Sequence, residues 1–142
     1  MKTSARNRLS GTVTSVTEGA VNDVVDLEVG DGITVSAVVT HGSTQRLGLA
    51  AGVEATALIK APWVVLVTDA EGLLFSARNR YDGTVTRVER GAVNATVDLE
   101  IAGGRTIVAV VTNESVDELG LAAGSTATAL VKASHVILAV AG

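Results

Sequence analysis

The chain has no cysteine, a single proline, and one residue each of Phe, Tyr and Trp. Without cysteine, disulfides, thiol nucleophiles and Cys-based metal sites are all excluded. With aromatics at 2%, the core must be assembled from Val, Ala, Leu and Ile. Charged residues make up only 18%, below the quarter typical of globular chains. The net charge of −4 argues against a general polyanion binder, which carries a basic excess. No apolar run reaches the roughly 18 residues a bilayer span needs, and the N-terminal "MKTSARNRLSG" lacks the apolar centre of a signal peptide. The expectation is a soluble, cytoplasmic protein with no membrane or nucleic-acid partner. What the chain does have is apolar residues, at 47%, and a mean hydropathy of +0.42. A small domain cannot hide so much apolar surface by itself, so association of subunits is expected.

The pentapeptide "SARNR" occurs at Ser4–Arg8 and again at Ser76–Arg80. At an offset of 72 residues, Ser4–Ala70 aligns with Ser76–Gly142 without a gap, and 39 of the 67 positions are identical. That period is too long for a solenoid unit and reads as a duplicated small domain. The division falls between residues 1–70 and 71–142, with "TDAEGLL" (Thr68–Leu74) as a short linker.

Within each copy the hydrophobic period is two. Ile33, Val35, Ala37 and Val39 fall on one face of "ITVSAVVT", and Ile107, Ala109 and Val111 on one face of "RTIVAVVT". "VEATALIK" and "STATALVK" alternate likewise, and "GTVTSV" and "VVDLEV" add two strands around the turn "EGAVN". "VGDG" and "IAGG" are hairpin turns, and "VVLV" or "VILAV" supplies the last strand. The stretch "HGSTQRLGLAAG" has room for one helical turn closed by its last glycine. About five short strands in 65–70 residues predict an all-β chain of two tandem OB-like, five-stranded Greek-key barrels, one per repeat.

Enzyme constellations are sparse. His41 and His135 stand opposite Asn113 and Trp63 in the repeat, whereas a base serving both copies would be matched. Asp26 and Glu28, with Asp98 and Glu100, are matched, but alternation places them on the solvent side of a strand. "GLAAG" is not followed by the Lys-Ser/Thr of a phosphate loop. No catalysis, cofactor or bare metal cation is expected.

The cations are more telling. Of three lysines, Lys60 and Lys132 are repeat equivalents, and Arg6/Arg78 and Arg8/Arg80 are matched too. Arg46, Arg87, Arg90 and Arg105 are not. Matched hydroxyls accompany them: Ser4/Ser76, Thr40/Thr112 and Ser43/Ser115. Neutral and cationic donors together suit a small tetrahedral dianion, and pairing with Asp or Glu or capping of turns are the structural alternatives.

"SARNRLSGTV", "SARNRYDGTV", "GAVN", "TNESV" and "LGLAAGSTATALVKASHVIL" together resemble the molbindin (Mop) family of molybdate-binding proteins, in a tandem arrangement covering almost the whole chain. The resemblance implies Mop domains of OB type, a homotrimer, and six oxyanion pockets between neighbouring domains, used for storage and homeostasis of molybdate or tungstate. By motif, one pocket set is Ser76, Arg78, Lys132 and Ala133 with the hydroxyls Thr112 and Ser115. The other is Ser4, Arg6, Lys60 and Ala61 with Thr40 and Ser43. Pro62 lacks the backbone donor that Ser134 retains. The matched turns Gly19-Ala20-Val21-Asn22 and Gly91-Ala92-Val93-Asn94 are candidates for an axial anion site, or simple hairpin turns. Asn7/Asn79 and Arg8/Arg80 are expected to hold the loop or a subunit interface. Rival functions are an assembly domain stiffened by anions and a nucleic-acid-binding OB module. The latter needs exposed stacking aromatics, and Trp63, Phe75 and Tyr81 have no aromatic repeat partner.

Overall fold

The computed structural model describes residues 1–142. The first repeat forms β1 (Asn7–Thr17), β2 (Asn22–Gly30), β3 (Ile33–Thr40), α1 (His41–Leu47), β4 (Glu54–Ile59) and β5 (Val65–Val67). The second forms β6 (Asn79–Arg90), β7 (Asn94–Glu100), β8 (Thr106–Thr112), α2 (Asn113–Leu119), β9 (Thr126–Val131) and β10 (Ile137–Ala139). The expected alternation holds in β3 and β8, where Ile33, Val35 and Ala37 are buried, as are Ile107 and Ala109, but not in β9, where Ala127–Val131 is buried on both faces. The helix is larger than the single turn expected and lies earlier, because Gly48 and Gly120 take the left-handed conformation (φ 63° in both) and stop it there. No helix is long and apolar enough to cross a membrane.

In each repeat three strands run as an antiparallel meander and the fourth returns beside the first. The sheet orders are β10-β4-β1-β2-β3 and β5-β9-β6-β7-β8. Each five-stranded sheet therefore draws its fifth strand from the other repeat, which corrects the expectation of one barrel per repeat. The cause lies in the turn before that strand. Ala61–Trp63 is a 3-10 turn packed on β8, and Ala133–His135 is its counterpart on β3. Each turn lands on the opposite repeat, and the strand after it continues there.

The two repeats share one continuous apolar core with Leu27, Val25 and Ile59 on one side and Leu99, Val97 and Val131 on the other. A local twofold axis relates them, since residues meet their own repeat equivalents. The Trp63 ring lies 5.1 Å from that of His135, and Asp31 sits against Gly103, which at φ 72° has no Cβ to obstruct it. Beside this axis the repeats are clasped by two buried amides. Asn7 Nδ2 donates to Val108 O at 2.8 Å, and Val108 N donates back to Asn7 Oδ1 at 2.7 Å. Asn79 makes the same pair with Ser36, at 2.8 Å in both directions. A primary amide presents a donor and an acceptor side by side, as a peptide does, and so completes the free edge of β8 or β3. The second amide hydrogen of each goes to Ile59 O or Val131 O at 3.2 Å. This resolves the open role of Asn7 and Asn79: they join repeat to repeat within the chain.

Candidate functional site

Asn7↔Ile59 is the last pair of the β1–β4 ladder, so Arg6 and Lys60 leave it together, with Ser4 and Ala61 just beyond. Asn79↔Val131 ends the β6–β9 ladder and releases Arg78 and Lys132 in the same way. Each repeat thus builds a corner with one guanidinium and one ammonium. Ser4, Arg6, Lys60, Ser76, Arg78 and Lys132 are exposed, while Ala61 and Ala133 are buried.

Charge pairing takes up four of the other arginines, while Lys2, Arg8 and Arg46 lack an acidic partner. Arg87 binds Glu89 at 2.6 Å, Arg90 binds Asp117 at 2.6 Å, and Arg105 lies 3.7 Å from Asp31. All three lack a repeat equivalent. Arg80 pairs with Asp82 at 3.4 Å and donates to Leu73 O and Ala70 O in the linker, and Arg8 donates to Met1 O. Arg6, Arg78, Lys60 and Lys132 form no salt bridge. With Arg8, five matched positive charges lack a carboxylate partner, and four of them stand in the two corners.

The matched hydroxyls lie elsewhere. Thr40 and Thr112 cap α1 and α2: each Oγ1 accepts the N–H of Ser43 or Ser115 at 3.1 Å and bonds the serine hydroxyl at 2.8 or 2.9 Å. Because β1, β2 and β3 alternate in direction, Thr40 ends up beside Asn22, at the end of its sheet away from Arg6 and Lys60. The corner of the second repeat meets β3 at Ser36 through Asn79. Thr40 is four residues further on, roughly 13 Å along a strand. One chain does not gather its cations and capped hydroxyls into one pocket. Clefts of 570, 400 and 340 Å³ on the surface are lined by other residues.

The two candidate axial turns are built differently. Val21 and Val93 project to solvent, at 72% and 71% exposure. Gly19 N–H is taken by Asp23 Oδ1 at 3.1 Å, and Gly91 N–H by Asn94 O at 2.7 Å. Asp23 is fully buried, with His41 Nδ1 3.0 Å from its other oxygen. The Thr44 hydroxyl, then the Gly19 N–H and His41, hold its carboxyl below the usual range against the opposing effect of burial. In the second repeat Ala95, Val116 and Asn113 replace Asp23, Thr44 and His41, and Asn113 Nδ2 donates to Gly91 O at 3.0 Å. Sequence comparison of the copies marked His41 as unmatched, but gave no sign that it closes on Asp23.

The aromatics are engaged inside the fold. Trp63 packs on His135, Phe75 lies under Arg80, and the Tyr81 hydroxyl donates to Thr34 O at 3.0 Å while burial keeps that phenol protonated. No row of aromatics is offered on a sheet face for stacking bases.

Against known proteins, the TOBE domain matches residues 3–66 and again 76–138. The chain is 50% identical over 139 residues to the molybdenum-pterin-binding protein MopA of Rhodobacter capsulatus, covering 98% of this chain and 52% of that protein. It is 46% identical over 140 residues to the molybdenum transport protein ModE of Herbaspirillum seropedicae, covering 99% of this chain and 52% of the relative. The chain thus spans about half the length of these relatives. Among solved structures, the cytoplasmic molybdate-binding protein ModG, with molybdate bound, superposes with a TM-score of 0.96 at 53% identity over 99% of this chain and 100% of that one.

Proposed function

Because the chain belongs to the TOBE-domain family, in its molbindin form with the domain twice in tandem, we propose that it reversibly binds molybdate, and tungstate on the same chemical terms, without covalent chemistry. The observation that carries this is the pair of cation corners. Arg6 with Lys60, and Arg78 with Lys132, are matched, exposed and free of carboxylate partners. A tetrahedral dianion supplies the missing counter-charge. Charge-assisted hydrogen bonds of this kind contribute about 1.5–3 kcal/mol each.

Residues 1–70 and 71–142 each supply one corner, extended by Ser4 or Ser76 and by the backbone at Ala61 or Ala133. The capped hydroxyls Thr40, Ser43, Thr112 and Ser115 lie too far along their own sheets to join it from within the chain. A neighbouring chain brings them in. A homotrimer does this for every corner, giving six pockets, and accounts for the exposed Val65 and Ile137 on the exchanged strands. The turns at Gly19–Asn22 and Gly91–Asn94, with Val21 and Val93 at their tips, face the axis of that trimer and are its secondary anion positions. The role is cytoplasmic storage and buffering of molybdate.

The test is titration calorimetry of the protein with molybdate, against sulfate and phosphate. More than one molybdate per chain, with little competition from sulfate, supports the proposal. No binding, or equal binding of sulfate, removes it.

A further inference from the structure

The two cation corners are equivalent in charge but unlike in support. Lys60 Nζ lies over the Trp63 ring, 5.4 Å from its centroid, within cation–π range. Trp63 is held in turn. It ends the 3-10 turn Ala61–Trp63, its N–H bonds Lys60 O at 3.0 Å, and its ring is backed by His135 across the local twofold axis. Pro62, inside the same turn, fixes one backbone angle. Lys132 has no such platform. The residue three places on is His135, whose ring faces Trp63, and Ser134 stands where Pro62 stiffens the first copy.

A lysine side chain has four rotatable bonds, and ordering it on a ligand is costly. A ring that already holds the ammonium in one rotamer removes part of that cost. Affinity scales with the fraction of the free protein in the competent arrangement.

We infer that Trp63 is a positioning residue for Lys60, which makes the two oxyanion pockets of one chain unequal, with the pocket built on Arg6 and Lys60 the tighter. The inference rests on the proposed molybdate function and specifies how its two sites differ. Trp63 does not touch the anion. It acts by holding the ammonium, and a Phe or Tyr ring can substitute for it.

The experiment uses the full chain and sodium molybdate, titrated calorimetrically. In a Lys132→Ala background the first pocket is read as the tighter phase of the titration, and in a Lys60→Ala background the second pocket is. Trp63→Leu is expected to weaken the first pocket about two- to fivefold, the range of an exposed cation–π contact, and to leave the second within error. Trp63→Phe, which keeps a ring face, is expected to retain most of the affinity. Trp63→His carries the residue of the equivalent position in the other repeat, and should level the two pockets if the leucine variant does not fold. Wild-type binding with no selective loss in Trp63→Leu, or the same loss in Trp63→Phe, overturns the inference while leaving molybdate binding in place. Absence of molybdate binding by the wild type overturns both.

Discussion

At the scale of single residues, "SARNR" divides into two tasks read off in alternation. Arg6 and Arg78 point outward without a carboxylate partner, while Asn7 and Asn79 are buried and pair with the opposite repeat. Lys132→Ala is expected to lower molybdate affinity of its pocket about tenfold to a hundredfold, with the melting temperature nearly unchanged, as calorimetry and thermal melts would record. Asn7→Ala should do the reverse. It strands Val108 N and O in the interior, and a loss of about 2–4 kcal/mol is expected in urea denaturation. The matched cations are legible in the sequence because duplication kept them where Arg46, Arg87, Arg90 and Arg105 have no counterpart. Their freedom from ion pairs was not legible, since it depends on which acids fold beside them. The buried Asp23–His41 contact was invisible for the same reason. It has a pH signature. The Asp23 carboxyl is held below its usual 3.8 in the fold, so its contribution is present above that pH and is lost as pH falls through the folded value. Asp23→Ala, which installs the residue found at position 95, should flatten the acid limb of a stability–pH curve below about pH 4.

At the scale of elements, most strands follow their period of two, β9 departing from it because Ala127–Val131 is buried on both faces, and the barrels follow from strand count and glycine turns. The exchange of β5 and β10 could not be read. "VVLV" and "VILAV" are so alike that either completes either barrel, and the choice is made by the direction of the turns at Ala61–Trp63 and Ala133–His135. One close approach was also hidden. β1 crosses β2 so tightly at Gly11 that a Cβ there would overlap the Glu28 carbonyl, and Gly83 meets Glu100 in the same way. Gly83→Ala is expected to cost roughly 1–3 kcal/mol in chemical denaturation. The pocket itself was only half legible. The cations proposed for it lie together at one end of a sheet, whereas the capped hydroxyls proposed for it lie at the other.

At the scale of the whole molecule, exposed apolar residues recur as matched pairs: Val21 with Val93 and Val65 with Ile137, all more than half exposed. A chain that repeats its greasy positions twice offers the same contact twice to each neighbour. Sedimentation equilibrium is expected to give three times the chain mass. Ile137→Lys should shift it toward the monomer and weaken molybdate binding together. The reciprocal exchange of strands also bears on how the protein is made. During synthesis the first barrel has four of its strands by residue 59, but its fifth, Ile137–Ala139, is translated only after β6 to β9 of the second repeat. Until then β4 has a bare edge beside β1, open to pairing with any other nascent strand. The second sheet has all five of its strands by Val131, whereas the first waits for Ile137–Ala139. A chain that lacks Ile137–Ala139 loses closure of the first barrel, whose other four strands all lie in the first repeat.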